Sequence, residues 1–541
     1  MKIQNTCFYR LSWILGAVLV AINAYSAENS SQCLNMALDT GKKFQTIDNF
    51  AAADAWSGNF VGKYFGESEK GKIAKWLFSK SFDKSGNPEG IGLSLWRVNL
   101  GGGTLEQKDC DIRLIRHRAE SFQSADLTSY DWSKCAGQRY FMEKSREYGC
   151  EGILFFSNTP PINFTKNGKG YCSEERANLR EDAYGLFADY LADVAEHFSK
   201  EGYNVRYISP INEPQGGWLN CKSQEGSIWR NSEIAKMARA LDVSLSARKL
   251  DKVKIYICEA HDLRDLYDIY DVSIPTSMNL FTDGNAPDRQ IRAFFDKNSP
   301  DYIGDLKHLP RMISGHSYYS HSTNIVLRDV RRNLKEELDR YGVEFQQSEW
   351  CLLPHFRVPM DGFTSDYKQG DSNGLQTVLL MGRIIVADFN IAGATAWGYW
   401  KGVEIGGLHA LTGVTLKNGG EDFTSGGKAF ATKLLWGLGN FSRFVRPGDK
   451  RVELSGADDF YEVAGSAFVS PDEKRVVAVF VHSGFEPKNV SLKLGGNFKS
   501  AKFYRTSETE DLKFLGDKKI SAKPAEFGLM PRSITTIVFE R

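Results

Sequence analysis

Between residues 45 and 440 short apolar runs alternate with longer amphipathic ones. "GLSLWRVNL" (92–100), "GILFFS" (152–157), "VRYISPIN" (205–212), "KVKIYICE" (252–259), "RMISGHSY" (311–318), "VEFQQSEW" (343–350) and "IAGATAWGYW" (391–400) read as buried strands. "FAAADAW" (50–56) is an eighth, weakened by its alanines. The segments between them carry helical spacing. Over 181–202 the stripe is Phe187, Tyr190, Leu191, Val194 and Phe198, and Gly202 supplies a stop. Over 324–342 it is Leu327, Val330, Leu334 and Leu338, closed by Gly342. A third helix carries Ile234, Met237, Leu241 and Leu245, with Asn231 or Ser232 as its cap. Strand and helix alternating about eight times predict an α/β fold with a parallel sheet closed into a (β/α)8 TIM barrel. An open doubly wound sheet is the rival, but no G-x-G-x-x-G loop follows the first strand.

After "RFVRPGDKR" (443–451) the helical period vanishes. "DFYEVAGSAFVS", "RVVAVFVH", "NVSLKLG", "SAKFYRT" and "SITTIVFE" are short β-rich runs with turns between them, the pattern of an attached β-sandwich side domain. The opening segment differs again. Lys2 and Arg10 precede an apolar stretch over 11–22 and then small residues, the layout of a secretory signal cleaved near Ser26 or Ala27. The stretch is shorter than the roughly 18 residues a membrane anchor needs, and no later segment reads as apolar enough to span a bilayer. The expected division is therefore a signal peptide over 1–27, a catalytic barrel over 45–440, and a sandwich built from 28–44 plus 441–541. The expected location is exported, periplasmic or extracellular.

Charge narrows the partners. The chain has 68 basic and 67 acidic residues, a formal charge of +1, and no long basic block. Nucleic acid and anionic membranes are not expected partners; a neutral glycan is compatible. Eight cysteines remain once Cys7 leaves with the signal, and eight can pair in 105 ways. A Cys172–Cys221 bridge is one option, whereas Cys258 in an apolar run reads as a buried thiol. No C-x-x-C or His-rich spacing suggests zinc, and neither metal nor cofactor is expected.

Chemistry in a parallel barrel sits at the C-terminal ends of strands. Glu213 in "SPINEP" ends the fourth strand and Glu349 in "QQSEW" ends the seventh. Across an eight-membered ring those positions face one another. Two carboxylates flanking a cavity are the apparatus for breaking a glycosidic bond, one protonated to release the leaving oxygen and one ionised. Their repulsion helps to hold the two pKa values apart. The reading requires them about 5 Å apart for double displacement.

"SPINEP" and "QQSEW" resemble the acid/base and nucleophile motifs of glycoside hydrolase family 30. "FQTIDNFAAADAW" (44–56), "GHSYYS" (315–320) and "AWGYW" (396–400) are similar to its first-, sixth- and eighth-strand motifs, although the first lacks that family's usual glycines. The resemblance implies a barrel whose companion sandwich borrows a strand from the N-terminal segment. It implies Glu213 as acid/base, Glu349 as nucleophile and retention of configuration. Asn212 would hold the substrate near its 2-hydroxyl, Tyr318 would position the nucleophile, Arg97 would lie beneath Glu349, and His316 would line the same wall. Asp54, Trp56 and Trp397 would form the floor and sides of the first sugar subsite. Many members carry a tryptophan after the paired prolines of the third strand; here Ile162, Asn163 and Phe164 follow, so Trp218 is a candidate replacement platform.

"NEPQ-x-x-W" followed by "QEG" looks most like the family branch acting on β-1,6-linked galactan. A β-1,6-glucanase, a β-glucosidase or β-xylosidase, and a xylanase share the barrel motifs. A non-catalytic carbohydrate-binding barrel is the alternative of another class, disfavoured because both glutamates are present. A metal-assisted hydrolase would use Glu259, His261, Asp262 and Asp265 in "CEAHDLRD", whose spacing fits a polar loop better than a ligand set. The expected partner is a polysaccharide or oligosaccharide substrate, and the expected state is a monomer without a membrane span.

Overall fold

The computed structural model describes residues 33–541 except 125, 128, 269–286, 354–373 and 522–523. The signal segment 1–27 lies outside the described residues. The first described strand, β1 (Leu34–Thr46), leads directly into β2 (Asn49–Ala53). Then follow β3 (Leu95–Asn99), β4 (Ile153–Phe156), β5 (Val205–Ser209), β6 (Lys254–Ile255), β7 (Met312–His316), β8 (Glu344–Glu349) and β9 (Ala396–Ile405). These last eight pair in parallel: β2 with β3 and β9, β3 with β4, β4 with β5, β5 with β6, β7 with β8, and β8 with β9. β6 and β7 are stitched beyond the short β6 by main-chain bonds from Ser314 N–H to Ile257 O (2.7 Å) and His316 N–H to Ala260 O (2.8 Å). The ring is closed, a (β/α)8 barrel.

The helical stripes fold as their spacing demands. The helix Tyr184–Lys200 buries Phe187, Tyr190, Leu191, Val194 and Phe198. The helix Asn324–Tyr341 starts with the Thr323 side chain accepting from Val326 N–H and stops at Gly342, whose φ of 60° is left-handed and suits a residue without Cβ. The helix Asn231–Ala247 corrects one expectation: Asn231 is already helical, and Arg230 precedes it, its N–H held by the Glu233 carboxylate at 2.8 Å.

Past β9 the chain forms β10 (Ala410–Leu416) and β11 (Gly427–Ala431), an antiparallel pair beside the barrel that the strand count did not anticipate. The remaining strands are β12 (Lys450–Ser455), β13 (Val463–Val469), β14 (Arg475–His482), β15 (Lys488–Gly495), β16 (Ser500–Thr506), β17 (Lys513–Lys519), β18 (Ala525–Leu529) and β19 (Ser533–Glu540). With β1 they make one sheet in the order β17-β16-β19-β14-β13-β12-β1-β15-β18. It encloses its own core of Met36, Leu38, Val452, Phe480, Leu492 and Phe539, among others. β1 sits inside this sheet, antiparallel to β12 and parallel to β15.

One segment reverses an expectation. Leu375–Ala392 has a mean hydropathy of 1.4 over 18 residues and is long and apolar enough to cross a membrane. Its apolarity has another cause here: 83% of it is buried inside the protein, where it contacts β13, β14 and β19 and neighbours the barrel helix Asn324–Tyr341. Gly382 lies so close to Val481 and Ile534 that an added Cβ would come within 2.9 Å of both. The eight described cysteines, Cys172 and Cys221 included, are free thiols.

Candidate active site

The C-terminal ends of the strands converge on a buried ionic cluster. β3 contributes Arg97, which is 1% exposed. Its Nη1 donates to Glu349 Oε2 (2.7 Å), while Nη2 donates to Asn212 Oδ1 (2.8 Å) and Glu259 Oε2 (2.5 Å). Tyr318 OH donates to Glu349 Oε1 at 3.0 Å. His316, at the end of β7, places Nδ1 3.0 Å from Glu213 Oε1 and 3.5 Å from Glu349 Oε1, and Nε2 3.6 Å from Glu259 Oε2. Asn212 donates from Nδ2 to Asn158 Oδ1 (3.0 Å), and Asn158 in turn reaches Asn99 (3.2 Å). These amides tie the ends of β3, β4 and β5 into one network.

Glu213 and Glu349 are brought together. A carboxylate oxygen of each, with a ring nitrogen of His316, lie within 4.8 Å of one another. Glu213 adopts a left-handed φ of 45°, fixed by its N–H donating to Glu259 O (2.9 Å) and by its own carbonyl accepting from Gly216 N–H and the Trp218 indole (each 2.8 Å). A non-glycine residue held there costs about 1 kcal/mol or more, which the surrounding bonds must offset.

The charges are coupled. For His316 burial alone would favour the neutral ring, but the Glu349 charge, the hydrogen bond to Glu213 and the nearby Glu259 carboxylate outweigh it and raise the imidazole to about 9. Burial pushes Glu349 up, and His316 and Arg97 only partly oppose it. Burial would raise Glu213 as well, yet His261, His316 and Arg97 together draw it below the ordinary carboxylate value. Glu259 is likewise drawn down, by Arg97 and then His316 against its burial. Among the groups in direct contact, the cations Arg97 and His316 face the carboxylates of Glu213, Glu259 and Glu349, and one proton shared by Glu213 and Glu349 makes that set neutral. Two carboxylates and an imidazole in this geometry invite a metal ion, but Arg97 and protonated His316 already supply the positive charge.

The expected sugar-contact residues divide. Trp56 lies at the mouth with its ring 6.0 Å from Trp400 and 5.6 Å from His117. Asp54 is beside it, buried, accepting from Asn99 N–H (2.9 Å) and Gln138 Nε2 (2.8 Å); burial pushes its carboxyl up to about 7. Trp397 is a correction. Its indole is fully buried and donates to Asp388 Oδ2 (2.9 Å), while the other oxygen of that carboxylate, Oδ1, takes Arg331 Nε (2.7 Å) outside the barrel. Trp400, three positions on and so on the opposite face of β9, is the tryptophan that meets Trp56 and Arg97. Trp218 is a second correction. It packs with Cys172 and Ile228 behind the Glu213 loop, where an added Cβ on Gly216 or Gly226 would come within 2.4 and 2.3 Å of its ring. It is a wedge holding Glu213 rather than an open platform.

The "CEAHDLRD" stretch does not gather as a ligand set. Asp262 pairs with Arg264, the His261 main chain bonds to Gln215 Oε1 (3.1 Å) while its ring adjoins Glu213, and Glu259 enters the ionic cluster. Sequence reasoning assigned Glu259 to a polar loop and passed over Trp400, Asn158 and the His261–Tyr319 pair, whose rings lie 5.1 Å apart. The position of Glu259 just past the fifth barrel strand was the signal available.

Comparisons with known proteins identify the family and the fold. The sequence profile described as O-glycosyl hydrolase family 30 matches residues 33–407. An endo-beta-1,6-galactanase of Hypocrea rufa is 21% identical over 395 residues, 69% of this chain and 70% of that protein. A conserved exported protein from Bacteroides fragilis superposes with a TM-score of 0.83 at 31% identity, covering 93% of this chain and 99% of that one. The catalytic domain of a family 30 xylanase C from Talaromyces cellulolyticus superposes with a TM-score of 0.63 at 18% identity, covering 94% and 100%.

Proposed function

The chain belongs to O-glycosyl hydrolase family 30, and on that premise we propose that it hydrolyses β-1,6-linked galactan with retention of anomeric configuration. The observation that carries the mechanism is the approach of Glu213 and Glu349 to within 4.8 Å. Retaining pairs stand about 5–5.5 Å apart, whereas inverting pairs need roughly 6.5–9.5 Å to admit a water. Glu349, gripped by Arg97 and Tyr318, attacks the anomeric carbon. In the empty site burial favours the proton on Glu349 while the cations draw Glu213 down; in the proposed reaction the shared proton passes to Glu213, touched by the His316 imidazole, which gives it to the departing oxygen. Water then attacks the same carbon, losing its proton to Glu213, and Glu349 leaves. Each displacement inverts, so the product keeps the starting configuration.

The choice of galactan is supported by the "NEPQ-x-x-W … QEG" loop and by the likeness to the Hypocrea rufa galactanase. Export is supported by the Lys2–Arg10–apolar layout and by the likeness to the exported Bacteroides fragilis protein. The test is a panel of β-1,3-, β-1,4- and β-1,6-linked galactans, glucans and xylans, with NMR of the first-formed anomer and with the Glu213→Gln and Glu349→Gln variants. The expected result is β-anomeric galactose or short β-1,6-galacto-oligosaccharides, lost in both variants. Release of xylose or glucose products would reassign the substrate. Unchanged activity in both variants would reject the pair.

A further inference from the structure

The proposed reaction leaves one member of the ionic cluster without a part. Glu259 is 0% exposed, so it lies too deep to touch a sugar. Its backbone is held as firmly as that of Glu213: φ is 46°, its N–H donates to Ser314 Oγ (3.1 Å), and its carbonyl accepts from Glu213 N–H (2.9 Å). Its carboxylate has two cationic neighbours, Arg97 Nη2 at 2.5 Å and His316 Nε2 at 3.6 Å.

Resting on the reading of Glu213 and Glu349 as the reacting pair, we propose that Glu259 is a positioning residue for the hydrolysis. By facing His316 Nε2 it keeps that ring doubly protonated between the two reacting glutamates, and by holding one arm of Arg97 it aims the other at Glu349. A neutral imidazole has a single N–H. With Nδ1 directed at Glu213, a neutral His316 would present a bare lone pair to the Glu259 carboxylate, which is repulsive; only the imidazolium satisfies both sides. The groups facing His316 are Glu213 from the end of β5, Glu259 from beyond β6, Glu349 from β8 and Tyr318 from its own strand end, with Arg97 from β3 beneath. Tyr256 adds its hydroxyl beside Glu259, and His261 and Tyr319 adjoin Glu213.

Glu259 also sets the proton count. Three carboxylates against two cations leave one negative charge, which one proton on Glu213 or Glu349 cancels. Without the Glu259 charge the cluster binds its protons less tightly, so either His316 or the reacting pair gives one up at a lower pH, and the acid step loses by either route.

The experiment compares pH profiles of kcat/KM on β-1,6-galactan for the wild type and Glu259→Gln, with Glu213→Gln and Glu349→Gln as controls. The expected result is a kcat lowered about 100-fold with KM within about twofold, the scale of a lost general-acid contribution. The alkaline limb should move down by about one pH unit or more. An unmoved limb overturns the proposal, since a merely structural role would scale the profile without shifting it. If Glu259→Gln does not fold, 15N NMR of wild-type protein labelled at histidine decides, with His316 assigned through His316→Gln. An imidazolium persisting to about pH 8 supports the proposal, and a ring neutral at pH 7 overturns it. If β-1,6-galactan is not cleaved at all, the substrate reading fails while the NMR result still judges Glu259.

Discussion

Replacing Arg97 by methionine removes the guanidinium that hydrogen-bonds both Glu349 and Glu259. The guanidinium is 1% exposed and stacks 3.6 Å from the Phe156 ring centroid, so water cannot take its place. Removing one partner of a buried ion pair costs about 3–5 kcal/mol, because the remaining charge is left uncompensated. The loss must depend on pH. Burial alone would raise Glu259, and it is chiefly Arg97 that holds it below the ordinary value. A carboxyl depressed in the folded protein adds stability above its unfolded pKa of about 4.3, which is lost as pH falls through the folded value. In the variant the shift reverses, so the folded carboxyl is destabilised as pH rises. The gap between the two proteins therefore starts to open below about pH 4.3, as the wild-type carboxyl ionises, and widens toward neutrality as the variant's penalty accrues. Urea unfolding followed by tryptophan fluorescence at pH 4.5 and 7.5 checks this. The expected deficit is about 3–5 kcal/mol at pH 7.5 and about half that at pH 4.5. Arg97→Lys should fall between, keeping a charge but losing the fork. An equal deficit at both pH values, or a larger one in acid, would refute the electrostatic account.

Three further predictions use the corrected aromatics and the loop glycine. Trp400→Ala should lower kcat/KM about 10–100-fold, mostly through KM, since it strips about 1.5–3 kcal/mol of apolar contact from the mouth. Trp397→Phe should leave KM unchanged and instead cost about 1–3 kcal/mol of stability by taking a donor from buried Asp388; steady-state kinetics and urea midpoints separate the two. Gly226→Ala puts a methyl where the Trp218 ring stands, at 2.3 Å, and should cost about 1–3 kcal/mol. Because that indole holds the Glu213 carbonyl, kcat should fall as well; a variant with wild-type melting and kcat would show that Trp218 is no wedge.

The barrel was readable because each buried strand is a continuous apolar run punctuated at its C-terminal end, so Glu213 and Glu349 stand out as isolated charges at strand exits. The faces of β9 were harder. In "AWGYW" both tryptophans suit a sugar, and only knowing which parity points inward separates Trp397 from Trp400. Glu259 was passed over because its strand is only two residues long and the chain continues as a polar loop. Its partners Arg97 and His316 lie 162 and 57 positions away along the chain, and proximity of that kind leaves no local pattern. The apolarity of Leu375–Ala392 went unremarked in the sequence: a helix enclosed on nearly all sides has the composition of one in lipid.

The place of β1 has a consequence for biosynthesis. This strand leaves the ribosome hundreds of residues before β12 and β15, the neighbours that flank it in the finished sheet. Until they arrive it is a ribbon of unpaired amides and carbonyls, the kind of edge that recruits strands from other chains. The barrel must therefore mature with this tail dangling, and a truncation near residue 445 would release a species whose tail never finds shelter. Co-expressing residues 446–541 as a separate fragment should rescue such a truncation from aggregation.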